Sequence, residues 1–295
     1  MTRRLLLLLA GTLAAQAAVL AQIGGHPLLQ PLGDIDSGVY ARLAGRIARG
    51  DFLLRGEGPV PFFVSPLYAY VLAATGPSFP AARVVQILLG TAAVALVFLA
   101  AGRLFGERAA LPAGVLFALA GVVTFHEVLI LQAAIDPFLT ALALFLLARA
   151  VMGEGRGEER ISSKVNGAVG AGRWLATGAA FGLLALNRPN ALLCAAAVVA
   201  ALFLFTFKEN LLRRVGIAAA FVAGAAVTIA PVTIRNLVVS NEFVLISSHG
   251  GLNFLVGNGP GANGVYRQLP GITPDIAGQA ADTKRVAEAE EGRAL

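Results

Sequence analysis

Long apolar runs constrain this chain more than anything else in it. Residues 5–23, 81–101, 109–125, 128–151, 191–207 and 215–234 are each almost free of charge, and a shorter run covers 174–186. Crossing a hydrocarbon core of ~30 Å takes roughly 20 apolar residues in helical form. Backbone groups in lipid must be bonded within their own helix or around a closed barrel. These runs are continuous and lack the period-two alternation of barrel strands, so they predict an all-α integral membrane protein. The expected architecture is a polytopic helical bundle with about seven transmembrane helices.

Composition agrees, with 57% hydrophobic and only 14% charged residues. The formal net charge of +6 does not indicate a nucleic-acid partner. The arginines are scattered at run ends, where positive-inside bias and snorkelling place them, and no basic stripe lies on a soluble fold. The lone Cys194 excludes an intrachain disulfide. The first run follows Arg3-Arg4 and can be read as a secretory signal peptide or as an uncleaved first helix. Either way the next loop falls outside the cytoplasm.

Arg3 and Arg4 place the N-terminus inside. Counting crossings then puts 103–108, 152–173 and 208–214 inside. His126-Glu127, Arg188-Pro189-Asn190 and everything after Arg235 fall outside. The expected location is the cytoplasmic membrane, with functional groups on its outer face. Residues 1–234 form the membrane module, and 235–295 form an outer region.

The first outer loop, residues 24–80, is too long for a plain connector. Asp36 or Ser37 can cap a helix running to about Arg49. Val39, Leu43 and Ile47 share one face of it, while Arg42, Arg46 and Arg49 fall on another. That pattern predicts an amphipathic interfacial helix contacting membrane lipids, its cations set for phosphate headgroups. Ser65-Pro66 predicts a short apolar helix over 67–74. Small residues at 178 and 182, and at 216, 220, 224 and 228, predict close helix packing.

Polar residues within or beside apolar runs mark the candidate site. Asp136 inside hydrocarbon would cost roughly 2.5–3.5 kcal/mol. With Pro137 behind it, it is expected to start a helix near the outer surface, as a cap or in a polar cavity. His126-Glu127 marks a helix junction. The glycine- and asparagine-rich stretch 247–264 predicts an ordered outer loop, with no phosphate-loop signature.

Five stretches together resemble the polytopic GT-C glycosyltransferases that use polyprenyl-phosphate sugars, above all family 39. That family includes protein mannosyltransferases and the aminoarabinose transferase of lipid A. The stretches are Asp36-Ser-Gly-Val-Tyr40, Ser65-Pro-Leu-Tyr68, and His126-Glu127 through Asp136-Pro137. Gly182 to Asn190 follows, and then Pro231-Val-Thr-Ile-Arg235-Asn236 with Gly250-Gly-Leu-Asn253 and Gly257-Asn258. The resemblance implies a catalytic Asp36, with Asp34 as substitute for the second acid that many members carry after it. It implies a second functional carboxylate at Asp136, with Glu127 as alternate. Arg188 and Arg235 become candidates for lipid phosphate, and Tyr40, Asn236, His249, Asn253 and Asn258 for substrate contacts. Partners implied are a polyprenyl-phosphate sugar donor and a protein, lipid or glycan acceptor. The resemblance assigns no certain cofactor, and a divalent metal stays open. Family members are longer, so the chain is expected to be an N-terminal fragment or a truncated member.

The chemistry suits the residues: a departing phosphate needs cations and an acceptor hydroxyl needs a base, as in an inverting displacement. From other classes, a secondary transporter or lipid flippase would place polar groups at mid-membrane between repeats. A non-catalytic membrane protein is the third alternative.

Overall fold

The computed structural model describes residues 2–31, 33, 35–76, 78–152, 163–204 and 210–292. Among the described residues there are twelve α-helices and no strand. They are α1 (Thr2–Ile23), α2 (Asp36–Ala48), α3 (Leu67–Ala74), α4 (Phe79–Phe105), α5 (Glu107–Ala118) and α6 (Gly121–Val128). Then come α7 (Asp136–Met152), α8 (Ser163–Asn187), α9 (Ala191–Leu204), α10 (Leu211–Ser240), α11 (Gly250–Asn258) and α12 (Ile276–Glu291).

Among the described residues α1, α4 and α10 are long and apolar enough to cross a membrane, and the α5–α6 pair, bent by 51°, passes that test as a broken span. Two of the expected spans are reshaped for visible reasons. The 109–125 run breaks at Leu119, the C-cap residue of α5, and Ala120, whose N–H turns to Phe117 O. Past Val128, the last residue of α6, the 128–151 run leaves the α-helix, and α7 starts at Asp136-Pro137. α9 is an apolar helix of 14 residues, about 21 Å long.

α4 is the hub, packed by α1, α5, α6 and α7, and α8 links α7 to α10. The α8–α10 contact is a small-residue seam. A Cβ added at Gly178 would stand 1.8 Å from Phe221 O, and one at Gly224 would stand 2.0 Å from Leu175 O. Only glycine admits backbones this close. Gly182 meets Thr228 in the same seam, whereas Gly216 faces open space and lies outside it.

α2 and α3 are not loose surface pieces. Val39, Leu43 and Ile47 are buried with Tyr68, Leu72 and Ile130 in the main core. The apolar face of α2 is therefore covered by protein and not by lipid, because α3 lies against it. Asp36 opens α2 without capping it; Ile35 is the N-cap residue and makes no side-chain cap bond. The glycine-rich stretch 247–264 also differs from the loop expected of it. Residues 250–258 coil into α11, with Leu252 buried against Leu269 and Ile272.

Candidate functional site

Three helix ends bring the candidate residues together. α2 begins at Asp36, α7 begins at Asp136, and α8 ends at Asn187 just before Arg188. Asp136 does not only start its helix. Its Oδ1 accepts from Asn187 Nδ2 at 2.6 Å, and its Oδ2 accepts from Arg188 Nε at 2.6 Å. Such charge-assisted bonds are about twice as strong as neutral ones. Both side chains stay partly open, Arg188 at 39% and Asp136 at 24%.

Gln132, one helical turn before Asp136, completes the cluster. Its amide lies 2.6 Å from the Tyr40 hydroxyl. Turned to satisfy its neighbours, it donates to Tyr40 Oη and accepts from Arg188 Nη1 at 2.9 Å. Asn187 Nδ2 also donates to Gln132 O at 2.9 Å. Arg188 Nη2 then has no partner among the described residues. Nε and Nη1 of the guanidinium are tied down, and Nη2 between them is left for a ligand.

Tyr40 sits at the centre, buried and edge-on to Tyr68 with ring centroids 5.2 Å apart. Burial raises its phenol pKa well above the ordinary 10, helped by the carboxylates of Asp36 and Asp136 and opposed by Arg188. The phenol thus stays neutral, with both carboxylates and the guanidinium within electrostatic range. Asp36 is exposed and has no hydrogen-bond or ion-pair partner among the described residues. Its lone pairs face solvent, as a base open to a substrate requires. Asp34 lies outside the described residues.

The remaining candidates divide sharply. Glu127 is fully buried; its Oε2 accepts from Gln16 Nε2 at 2.8 Å, while Oε1 packs against Gly90. It is not on a solvated turn, because α1, α4 and α6 close around it. Arg235 is only 5% exposed. It donates to Leu53 O at 2.8 Å, Leu54 O at 3.2 Å and Val60 O at 2.9 Å, and stacks on Phe62. Asn236 is fully buried, accepting from Phe62 N and donating to Val244 O and Ile246 O. These two side chains bind protein backbone.

His249 stacks on Phe63 at 4.5 Å and bonds Gln279 at 3.1 Å. Burial lowers its imidazole pKa, while Gln279 and the nearby Asp36 carboxylate pull the other way. Asn253 is exposed beside His249 in a small recess. Asn258 is exposed and bonds its own helix at Phe254 O. No three His, Cys, Asp or Glu side chains converge on a metal position among the described residues.

Gln132 and Asn187 were not singled out from sequence. Their signal was a polar side chain inside an apolar run, the same signal that marks Asp136. No protein-family model matches the chain, and no curated protein or solved structure matches it.

Proposed function

We propose that the chain is a membrane glycosyltransferase acting at the extracytoplasmic face on a polyprenyl-phosphate sugar. Asp36 is the base: it takes the proton of an acceptor hydroxyl as that oxygen attacks the anomeric carbon. The bond from that carbon to the phosphate oxygen breaks, and polyprenyl phosphate leaves with the bonding pair. Nη2 of Arg188 meets the added negative charge, while Asp136 and Gln132 hold Nε and Nη1 still and Asn187 steadies both partners. Preorganised donors of this kind are typically worth about 10²–10³ in rate.

One observation carries the proposal. An unpartnered carboxylate lies one helical turn before a buried phenol, and Gln132 bridges that phenol to an arginine that keeps a free nitrogen. The positions also suit seven passages, namely α1, α4, the bent α5–α6, α7, α8, α9 and α10. With the N-terminus inside, that count puts Asp36, Asp136, Arg188 and Arg235 on the outer side. The Asp136–Arg188 bond and the grip of Arg235 on the first outer loop join ends that this parity groups together. The location that follows is the cytoplasmic membrane.

Arg235 and Asn236 serve this proposal by positioning the first outer loop, and the lipid phosphate falls to Arg188. The test is transfer of label from a polyprenyl-phosphate sugar by membranes holding the full chain. Asp36→Asn is expected to lower transfer by about 10²–10⁴ with an unchanged unfolding midpoint. Undiminished turnover would exclude the base role.

A secondary transporter has one observation in its favour, the buried Glu127–Gln16–Thr91 chain between helices. Buried carboxylates in membrane proteins often lie on proton or solute paths. Uptake of free solute into vesicles, lost in Glu127→Gln and without label transfer, would select that function.

A further inference from the structure

The turn at residues 50–55, after α2, presents apolar side chains from a backbone that is held on every side. Asp51 closes it, accepting from Arg55 N at 2.9 Å and Gly56 N at 3.1 Å. Tyr70 Oη donates to Phe52 O at 2.6 Å, and Arg235 holds the carbonyls of Leu53 and Leu54. Leu54 has a φ of 48°, unusual for a branched residue, and its side chain is buried. Yet Phe52 is 65% exposed, and Leu53 is exposed as well. A rigid backbone that leaves a phenylalanine in the open differs from a floppy loop whose apolar groups could fold back.

Charge and position identify what covers it. Arg49 and Arg55 flank the two apolar residues, both exposed and without an ion pair among the described residues. Arg46 is paired with Glu57 and Asp51. Residues 42–57 hold four arginines against two acids, so the surface is net positive. The turn is pinned by Arg235, in the second-to-last turn of α10. Leu237, Val238 and Phe243 at that end of α10 are exposed too. The turn is thus anchored to the end of a membrane-length helix that carries exposed apolar residues of its own, with cations beside the turn.

We infer that residues 50–55 form a fixed wedge in the outer membrane surface, with Phe52 and Leu53 in the headgroup–acyl boundary and Arg49 and Arg55 on anionic lipid phosphates. Aromatic residues favour this boundary, and each surface arginine adds about fivefold in affinity for anionic lipid. The wedge differs from the contact expected of α2, whose apolar face is turned into the protein. It does not depend on the proposed transfer reaction, and it would hold the first outer loop at the depth of a lipid-borne substrate.

The test uses the full chain carrying Cys194→Ser and Phe52→Cys, labelled with bimane at position 52. It is reconstituted in nanodiscs of phosphatidylcholine with increasing phosphatidylglycerol. The inference expects a blue-shifted emission that brominated acyl chains quench and aqueous iodide does not. Adding Arg49→Gln and Arg55→Gln should raise the phosphatidylglycerol fraction at half-maximal shift several-fold, and free inorganic phosphate should leave it unmoved. A water-like emission quenched by iodide at every lipid composition overturns the wedge and leaves the surface to a protein partner. A lipid-quenched signal indifferent to both arginine substitutions overturns the headgroup assignment.

Discussion

Arg188 and Arg235 occupy comparable positions, each near the end of a long helix and each followed by asparagine within two residues, yet the fold uses them in opposite ways. Arg235 is buried with its guanidinium distributed over three backbone carbonyls and an aromatic face. Arg188 is held by one carboxylate and one amide and keeps a nitrogen for something else. Charge and helix position alone therefore do not define a site. Residual bonding capacity does, and only the three-dimensional partners reveal it.

The largest expected effect breaks the buried node. Arg235→Ala leaves three backbone carbonyls unpaired and should destabilise the protein by about 3–5 kcal/mol, since each buried acceptor without its donor costs about 1–3 kcal/mol. Thermal unfolding in detergent measures it. Arg188→Ala should reverse the pattern: transfer falls about 10²-fold, while stability changes by no more than about 1 kcal/mol for a half-exposed ion pair. Equal stability losses in the two variants would erase the distinction between them.

The glycine seam sharpens the comparison at intermediate size. Gly224→Ala pushes a methyl into Leu175 O and should cost about 1–3 kcal/mol. Gly216→Ala, with open space around it inside α10, should cost nothing and stabilise by up to about 1 kcal/mol. The smallest effect concerns pH. Burial holds the His249 imidazole below its ordinary 6.5, so the unfolded chain binds that proton more readily than the folded one. The stabilisation is complete above pH 6.5 and is lost as pH falls through the lower folded value. Protection factors for hydrogen exchange in 246–252, taken against the intrinsic rate at each pH, should fall on acidification below 6.5, and His249→Gln should flatten the dependence.

Much of the local structure was legible from the sequence. α3 matches the 67–74 span expected after Ser65-Pro66, although Pro66 and not Ser65 is its N-cap residue, and α7 starts at Asp136-Pro137 as the buried cost of that carboxylate demands. The periodicity of Val39, Leu43 and Ile47 correctly marked a buried face. It could not say that α3, and not lipid, would cover that face, because both are apolar solvents for the same stripe. α11 was hidden by glycines whose intrinsic preference opposes helix, overridden by the packing of Leu252. Pairing of Asp136 with Arg188 joins residues 52 positions apart, which no spacing rule encodes. The closed state of Glu127 depends on Gln16 and Gly90 from two other helices, and is equally invisible along the chain.

The proposed transfer site requires that Asp36 and the Asp136–Arg188 pair face one space on one side of the membrane. Ile35→Cys and Asn190→Cys, made singly with Cys194→Ser, place exposed reporters beside each without touching the cluster. In intact cells a membrane-impermeant maleimide should label both from outside. Labelling of one from outside and of the other only after the membrane is opened would contradict the shared site.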